Sequence, residues 1–346
     1  MSVTLDITKN LGNFHLAIQL QTKGGVVGLL GASGSGKSKT LQCISGIERP
    51  DTGKIILNET TFFDATAHVN MPIQQRRVGY LFQHYALFPN MTVAENIACG
   101  IWQKASRSDK KERIASMVKR LHLQGLEGRK PAELSGGQQQ RVALGRILVN
   151  EPDMLLLDEP FSALDSFLKG QVMAELQDVI AQFQKDVFVV THSRDEAYQL
   201  CDTLAVLDQG HVEIVGKTVD VFAQPKTKAA ATLLGCSNMA DAVKRGDHTG
   251  YVPSWDVMLT TSEPVADGLC AIGVRSHAFS MTEEENQFPI TVVEQQERPF
   301  AYTLAFRYAA QRADAPLLWM TVAKRDYDGA PTKLGISPKD ILLLYR

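Results

Sequence analysis

Residues 25–46 leave this chain little freedom. Gly25-Val-Val-Gly-Leu-Leu30 is a short apolar run, the pattern of a parallel strand buried on both faces. It leads into Gly31-Ala-Ser-Gly-Ser-Gly-Lys-Ser38, and Ser38-Lys-Thr-Leu-Gln-Cys-Ile-Ser45 then reads as a helix that Gly46 is placed to end. Strand, glycine-rich turn and helix in that order form the context that a phosphate-binding loop requires. The glycines let the backbone curl until its N–H groups converge, and the helix N-terminus adds a positive dipole. Lys37 is expected to reach the β- and γ-phosphates of a nucleotide, and the Ser38 hydroxyl to ligate Mg²⁺. Gly31, Ala32, Ser33, Gly34, Ser35, Gly36 and Lys39 complete the expected cradle.

Two further apolar runs end in chemistry. Met154-Leu-Leu-Leu157 terminates in Asp158-Glu159. Adjacent carboxylates repel and resist desolvation, so packing alone rarely puts them at the end of a buried strand. Asp158 is expected to hold Mg²⁺ or its water, and Glu159 to polarise an attacking water as general base. Val187-Phe-Val-Val-Thr191 delivers His192 to the same C-terminal edge, where ligands collect in open α/β sheets. A solvated strand end and a structural histidine are the plainer readings of those two sites.

With these residues in view, the chain resembles the ATP-binding subunit of an ABC importer over roughly residues 1–232. Leu134-Ser-Gly-Gly-Gln138, followed by Gln-Gln-Arg141, is similar to the family signature. Phe82-Gln83 resembles the loop that couples nucleotide to a membrane partner, and the resemblance implies Gln83 as a metal ligand and, with Lys37, Glu159 and His192, as a catalytic residue. Ser162-Ala-Leu-Asp165 matches the loop that crosses the dimer interface, and His192 the switch histidine. The resemblance implies an α/β P-loop domain with a helical subdomain at 89–148, and a homodimer sandwiching ATP and Mg²⁺. Ser135, Gly137 and Gln138 of one copy would complete the site of the other. It also implies two transmembrane permease subunits, an extracytoplasmic solute-binding protein contacted indirectly, and a place on the cytoplasmic face of the membrane. Independently, Ser135 reads as a helix N-cap before Gln138–Val149. Ser108 reads as the cap of a helix over Asp109–Leu121, with Ile114, Met117, Val118 and Leu121 on one face. Phe82, Tyr85, Leu87 and Phe88 are candidates for a partner groove, two of them expected in the core.

The chain departs from the family pattern in places. Leu11 stands where an aromatic residue often stacks on adenine, and Phe14 could replace it or serve the core. Lys39 stands where a second hydroxyl is usual, with Thr40 one place later. Ser193 replaces a common acid after the histidine.

Residues 233–346 change character. Segments 269–274, 288–297, 300–308 and 317–323 read as strands, Tyr302, Leu304, Phe306 and Tyr308 alternating with period two. A small all-β regulatory domain is expected. Arg275 and His277 invite an oxyanion reading, although a solvated strand end explains them as well. Five scattered cysteines without a CxxC pair suggest buried free thiols, and a net charge of −2 gives no support for nucleic-acid binding. Leu11-Gly-Asn-Phe14, Ser38-Lys-Thr-Leu41 and Gly273-Val-Arg-Ser-His277 resemble molybdate- or tungstate-type importers most, with sulfate, iron(III), polyamine and sugar importers as alternatives. A non-transport ABC ATPase and a catalytically silent regulatory subunit are the rivals from other classes.

Overall fold

The computed structural model describes residues 2–102, 106–162, 164, 166–312 and 314–345, the side chains of 166–168 excepted. The chain divides into two compact units, Met1–Thr218 and Val219–Arg346. In the first unit the strands are β1 (Val3–Leu11), β2 (Phe14–Thr22), β3 (Val26–Gly31), β4 (Thr52–Leu57), β5 (Thr60–Asp64), β6 (Val69–Asn70), β7 (Val78–Leu81), β8 (Met154–Asp158), β9 (Asp186–Thr191), β10 (Thr203–Asp208) and β11 (His211–Lys217). The helices are α1 (Lys37–Ser45), α2 (Val93–Ala98), α3 (Arg107–Arg120), α4 (Gly136–Leu148), α5 (Ser166–Phe183) and α6 (Arg194–Leu200).

All the strands of this unit join one eleven-stranded sheet in the order β6-β5-β4-β1-β2-β11-β10-β3-β9-β8-β7. From β7 to β10 the neighbours are parallel. From β2 to β6 they are antiparallel. Every residue of β8 and β9 is buried, which is why both read as unbroken apolar runs. One core cluster gathers Leu29, Leu41, Ile44, Leu156 and Phe188 around α1; the other gathers Ile97, Leu121, Leu144 and Leu176 among the helices α2 to α5.

The helix expected over Asp109–Leu121 begins earlier, at Arg107. Ser106 rather than Ser108 caps it: the Ser106 hydroxyl accepts from Asp109 N at 3.1 Å, and Asp109 Oδ2 accepts from Ser106 N at 3.3 Å. Ser106 has an acid three residues on, which closes the capping box, whereas Ser108 has Lys111. The expected apolar face is present, with Val118 and Leu121 buried and Ile114 and Met117 packed beside them.

The second unit starts before the expected boundary after residue 232. Its helices Thr218–Ala223 (all but Thr218 itself) and Lys228–Leu233 belong with the β-rich tail. Arg275 explains this: its guanidinium donates to Leu234 O at 3.1 Å and to Phe222 O. It is a half-buried clasp on backbone carbonyls, not a solvated strand end, while His277 is exposed. The strands form two three-stranded sheets and one of five. Asn238–Asp241, Ala271–Val274 and Ile341–Leu344 make one; the hairpin Phe288–Glu297 with Ala301–Tyr308, extended by Leu318–Ala323, forms most of the largest. Leu304, Phe306 and Tyr308 are buried and Tyr302 half-buried, as the alternation requires. All five cysteines are free; Cys99 is exposed, against the expectation of burial, and burial pushes the Cys43 and Cys201 thiols up to about 12.

Removing the clasp tests its role. Arg275→Met should lower local stability in the second unit by about 2 kcal/mol, the loss expected for hydrogen bonds from a charged donor. Faster amide hydrogen exchange in Lys228–Leu233 and Ala271–Val274, with β8 and β9 unaffected, is the expected readout.

Candidate functional site

Parallel pairing aligns the C-terminal ends of the central strands. Leu30 pairs with Thr191 and Asp158 with Val190, so the turn after β3, the carboxylates after β8 and the histidine after β9 share one edge. The Gly31–Gly36 turn requires its glycines: Gly34 and Gly36 have φ of 81° and 100°, and a Cβ on Gly36 would lie 2.5 Å from Leu16 Cδ1. Lys37 opens α1 and is 5% exposed. Its Nζ donates to Gly31 O and Ala32 O, each at 2.8 Å. Burial lowers the Lys37 pKa, while Glu159 and Asp158 pull it the other way.

The two carboxylates point to different tasks. Asp158 is buried and receives the Ser38 hydroxyl on Oδ1 at 2.8 Å and the Tyr80 hydroxyl on Oδ2 at 2.9 Å. Glu159 lies between two other groups: Oε2 accepts from Gln83 Nε2 at 3.4 Å, and Oε1 is 3.4 Å from His192 Nδ1. Its backbone takes a left-handed φ of 45°, with its N–H donating to Val190 O at 3.0 Å. That turn swings the carboxylate off the strand axis towards solvent, and non-glycine residues in this region cluster at functional sites.

Tyr80 is the residue that sequence reading missed. It pairs with Leu156 across β7 and β8, two residues before Asp158 and therefore on the same face. Only the strand register reveals this. Burial first, and Asp158 second, raise its pKa far above the ordinary phenol range, so the hydroxyl stays a donor to Asp158.

The signature stands apart. Ser135 caps α4 through a capping box, its hydroxyl accepting from Gln138 N at 3.3 Å while Gln138 Oε1 accepts from Ser135 N at 2.9 Å. Gly137 is buried, and a Cβ there would lie 2.8 Å from Val172 Cγ2. Among the described residues, no hydrogen bond or ion pair joins Ser135, Gly137 or Gln138 to Lys37, Ser38, Asp158 or Glu159. Asp165 lies outside the described residues.

The departures from the family pattern also have places. Lys39 Nζ pairs with Glu48 Oε2 at 3.3 Å, and the buried Thr40 donates to Gly36 O at 3.0 Å. Ser193 caps α6 by accepting from Glu196 N at 3.4 Å. Phe14 is half-buried against the core and also lines a cavity of about 390 Å³ with Ala32, Ser33 and Gly34. Tyr85 is buried and Leu87 half-buried, whereas Phe82 and Phe88 are 41% and 45% exposed. Two of the four are therefore available to a partner.

Comparison with known proteins agrees with this geometry. The profile of the ABC transporter family matches residues 15–162. The chain is 41% identical to the sulfate/thiosulfate import ATP-binding protein CysA of Mesostigma viride over 244 residues, covering 69% of this chain and 68% of that one. It is 32% identical to the CysA protein of Halalkalibacterium halodurans over 100% of this chain and 98% of that one. It is 33% identical to the molybdenum import ATP-binding protein ModC of Rhizobium etli, over 82% and 87%. The dimeric ATP-binding cassette MJ0796, in a post-hydrolysis state bound to ADP and Pi, superposes with a TM-score of 0.52 at 29% identity, covering 63% of this chain and 99% of that one.

Tyr80→Phe isolates the buried hydrogen bond to Asp158. It should cost about 1–2 kcal/mol, because a buried acceptor loses its donor. Urea unfolding of the full chain should show a lower midpoint at an unchanged slope.

Proposed function

The chain belongs to the ABC transporter family, and on that premise we propose that it drives import of an inorganic oxyanion, with sulfate or thiosulfate placed first. Its activity is ATP hydrolysis coupled to import. One observation supports the chemistry most: Glu159 sits between Gln83 and His192 at 3.4 Å from each, at the strand edge where Lys37 and Ser38 open α1. A carboxylate so placed suits a general base for an attacking water, with Gln83 and His192 orienting it. Lys37 would exchange two backbone carbonyls for phosphate oxygens, and the N–H groups of residues 31–39 would cradle the rest. The oxygen donors of Ser38 and Asp158, with the Gln83 amide, fit Mg²⁺, which favours carboxylate, hydroxyl and phosphate ligands. When bound it would neutralise charge on the phosphate oxygens.

The separation of Ser135 and Gly137 from Lys37 supports a second copy as the provider of that motif. Ser135 is exposed at the N-terminus of a thirteen-residue helix, a suitable anion contact for a partner's γ-phosphate. ATP would then favour the closed dimer by differential affinity. No described helix is long and apolar enough to cross a membrane. Exposed Phe82 and Phe88 suit a contact with permease subunits, which would hold the protein at the cytoplasmic face of the membrane.

For the solute, the sequence patterns favoured molybdate, whereas the relatives favour its alternative. The full-length similarity to a sulfate/thiosulfate protein supports sulfate first. Molybdate stays as a second reading, supported by the ModC relative and Gly273-Val-Arg-Ser-His277.

Glu159→Gln should slow hydrolysis about 10²–10⁴-fold, the usual worth of a positioned base, while ATP binding persists. Normal turnover by phosphate release would refute the base assignment. In cells carrying that variant at the native locus, uptake of radiolabelled sulfate or thiosulfate should fall while molybdenum content, by elemental mass spectrometry, holds. The reverse pattern would transfer the assignment to molybdate.

A further inference from the structure

We infer that Glu196 is a positioning residue for the hydrolytic step, held by Lys169 and acting through Thr191 to aim His192 at Glu159. This rests on the general-base reading above and names what sets its geometry. The His192 side chain is 62% exposed, so its aim depends on the backbone that carries it. Thr191 spans that backbone. It is 1% exposed, and its Oγ1 accepts from Ser193 N at 2.9 Å, across His192. The same hydroxyl donates to Glu196 Oε2.

Helix capping alone does not account for this arrangement. In a capping box the acid at the third helical position reaches back to the N–H of the cap residue, here Ser193. Glu196 holds that position in α6, and its own N–H donates to Ser193 Oγ at 3.4 Å. Its carboxylate, however, leaves Ser193 N to Thr191 and takes the Thr191 proton instead. The side chain is 6% exposed, and Lys169 Nζ meets Oε1 at 2.6 Å. A solvated cap would need no cation from another helix, whereas a buried carboxylate does. One carboxylate oxygen is thus committed to the turn carrying His192, and the other to α5.

The chain closes this frame around Glu159. Helix α5 starts at Ser166, shortly after Ser162, whose hydroxyl donates to Glu159 O at 3.0 Å. Glu159 N donates at 3.0 Å to the carbonyl of Val190, on the strand that delivers His192. Both ends of the 3.4 Å gap between Glu159 Oε1 and His192 Nδ1 are therefore set by one ring of contacts through Thr191, Glu196 and Lys169. Lys37, Ser38 and Asp158 have other partners, so loosening this ring should disturb hydrolysis more than nucleotide binding.

Three measurements on the full chain test this: phosphate release, calorimetric binding of a non-hydrolysable ATP analogue, and the imidazole proton–nitrogen NMR signal of His192, assigned by its loss in His192→Gln. Thr191→Val keeps the shape and removes the hydroxyl. It should lower kcat about ten- to a hundredfold, as misplaced reacting groups do, with KM and analogue affinity unchanged. Lys169→Met should lower kcat in the same way, and Lys169→Arg should restore it. The His192 signal should move in both loss variants and stay in place in Thr191→Ser, which should turn over at the native rate. Native kcat in both loss variants or an unmoved His192 signal would overturn the inference. So would a matching fall in analogue affinity, because a general loss of structure weakens binding as well. If Glu159→Gln hydrolyses at the native rate, the general-base reading fails, and the His192 signal alone then decides whether Glu196 positions that ring.

Discussion

The parallel seating of β3 between β9 and β10 is the constraint on which the rest of the site depends. In a parallel arrangement every strand leaves the sheet at the same edge, so groups far apart in sequence converge without further design. The register Leu30 with Thr191 and Asp158 with Val190 sets the phosphate turn, the carboxylates and His192 level. A one-residue slip would turn Asp158 away from Ser38 and bury the wrong side chains on both faces. The apolar runs Val26–Leu30, Met154–Leu157 and Val187–Val190 thus carry two messages: they fix the core, and by fixing the register they fix the chemistry at their ends.

The same groups are held by internal partners. Lys37 is satisfied by two backbone carbonyls, Asp158 by two hydroxyls, and Glu159 by Gln83 and His192. Buried polar groups tolerate no less, since an unpaired charge at this depth would be costly. A nucleotide therefore exchanges bonds rather than simply adding them, and its affinity reports the difference. Distance marks which exchanges are easy. The Glu159 contacts at 3.4 Å are long and open, whereas the Lys37 and Ser38 bonds at 2.8 Å are short and at least half-buried.

Much of this was legible in the sequence because the decisive signals are local. Gly34, Gly36 and Lys37 announce the phosphate turn by composition and order. Asp158 and Glu159 stand out because two acids end an apolar strand, and Ser135 because it caps a helix. What was not legible depended on distant pairing. Tyr80 looks like any strand aromatic until β7 is laid beside β8. Arg275 looks like a surface cation until Phe222 and Leu234 come under it, and with them two short helices that reading by composition had assigned to the first domain. The cap is an exception, a local signal that was passed over: Ser108 was read as the cap by residue type, whereas the acid three places on favours Ser106.

The solute was the least legible feature, for a physical reason. Lys37, Ser38, Asp158, Glu159 and His192 recognise phosphate, metal and water, and none of them meets the transported ion. Selection for sulfate over molybdate cannot be written in those positions, so a sequence match there is equally compatible with either. Information about the solute can enter this chain only where it departs from the shared chemistry. The Ser38-Lys-Thr-Leu41 variant is such a departure, but its Ser38 bonds Asp158, its Lys39 pairs with Glu48 and its Thr40 donates to Gly36 O. Arg275 is another, and its guanidinium donates to the carbonyls of Leu234 and Phe222. Two of the three patterns that had favoured molybdate thus have local structural work of their own, and similarity along the whole chain is the better guide to the oxyanion.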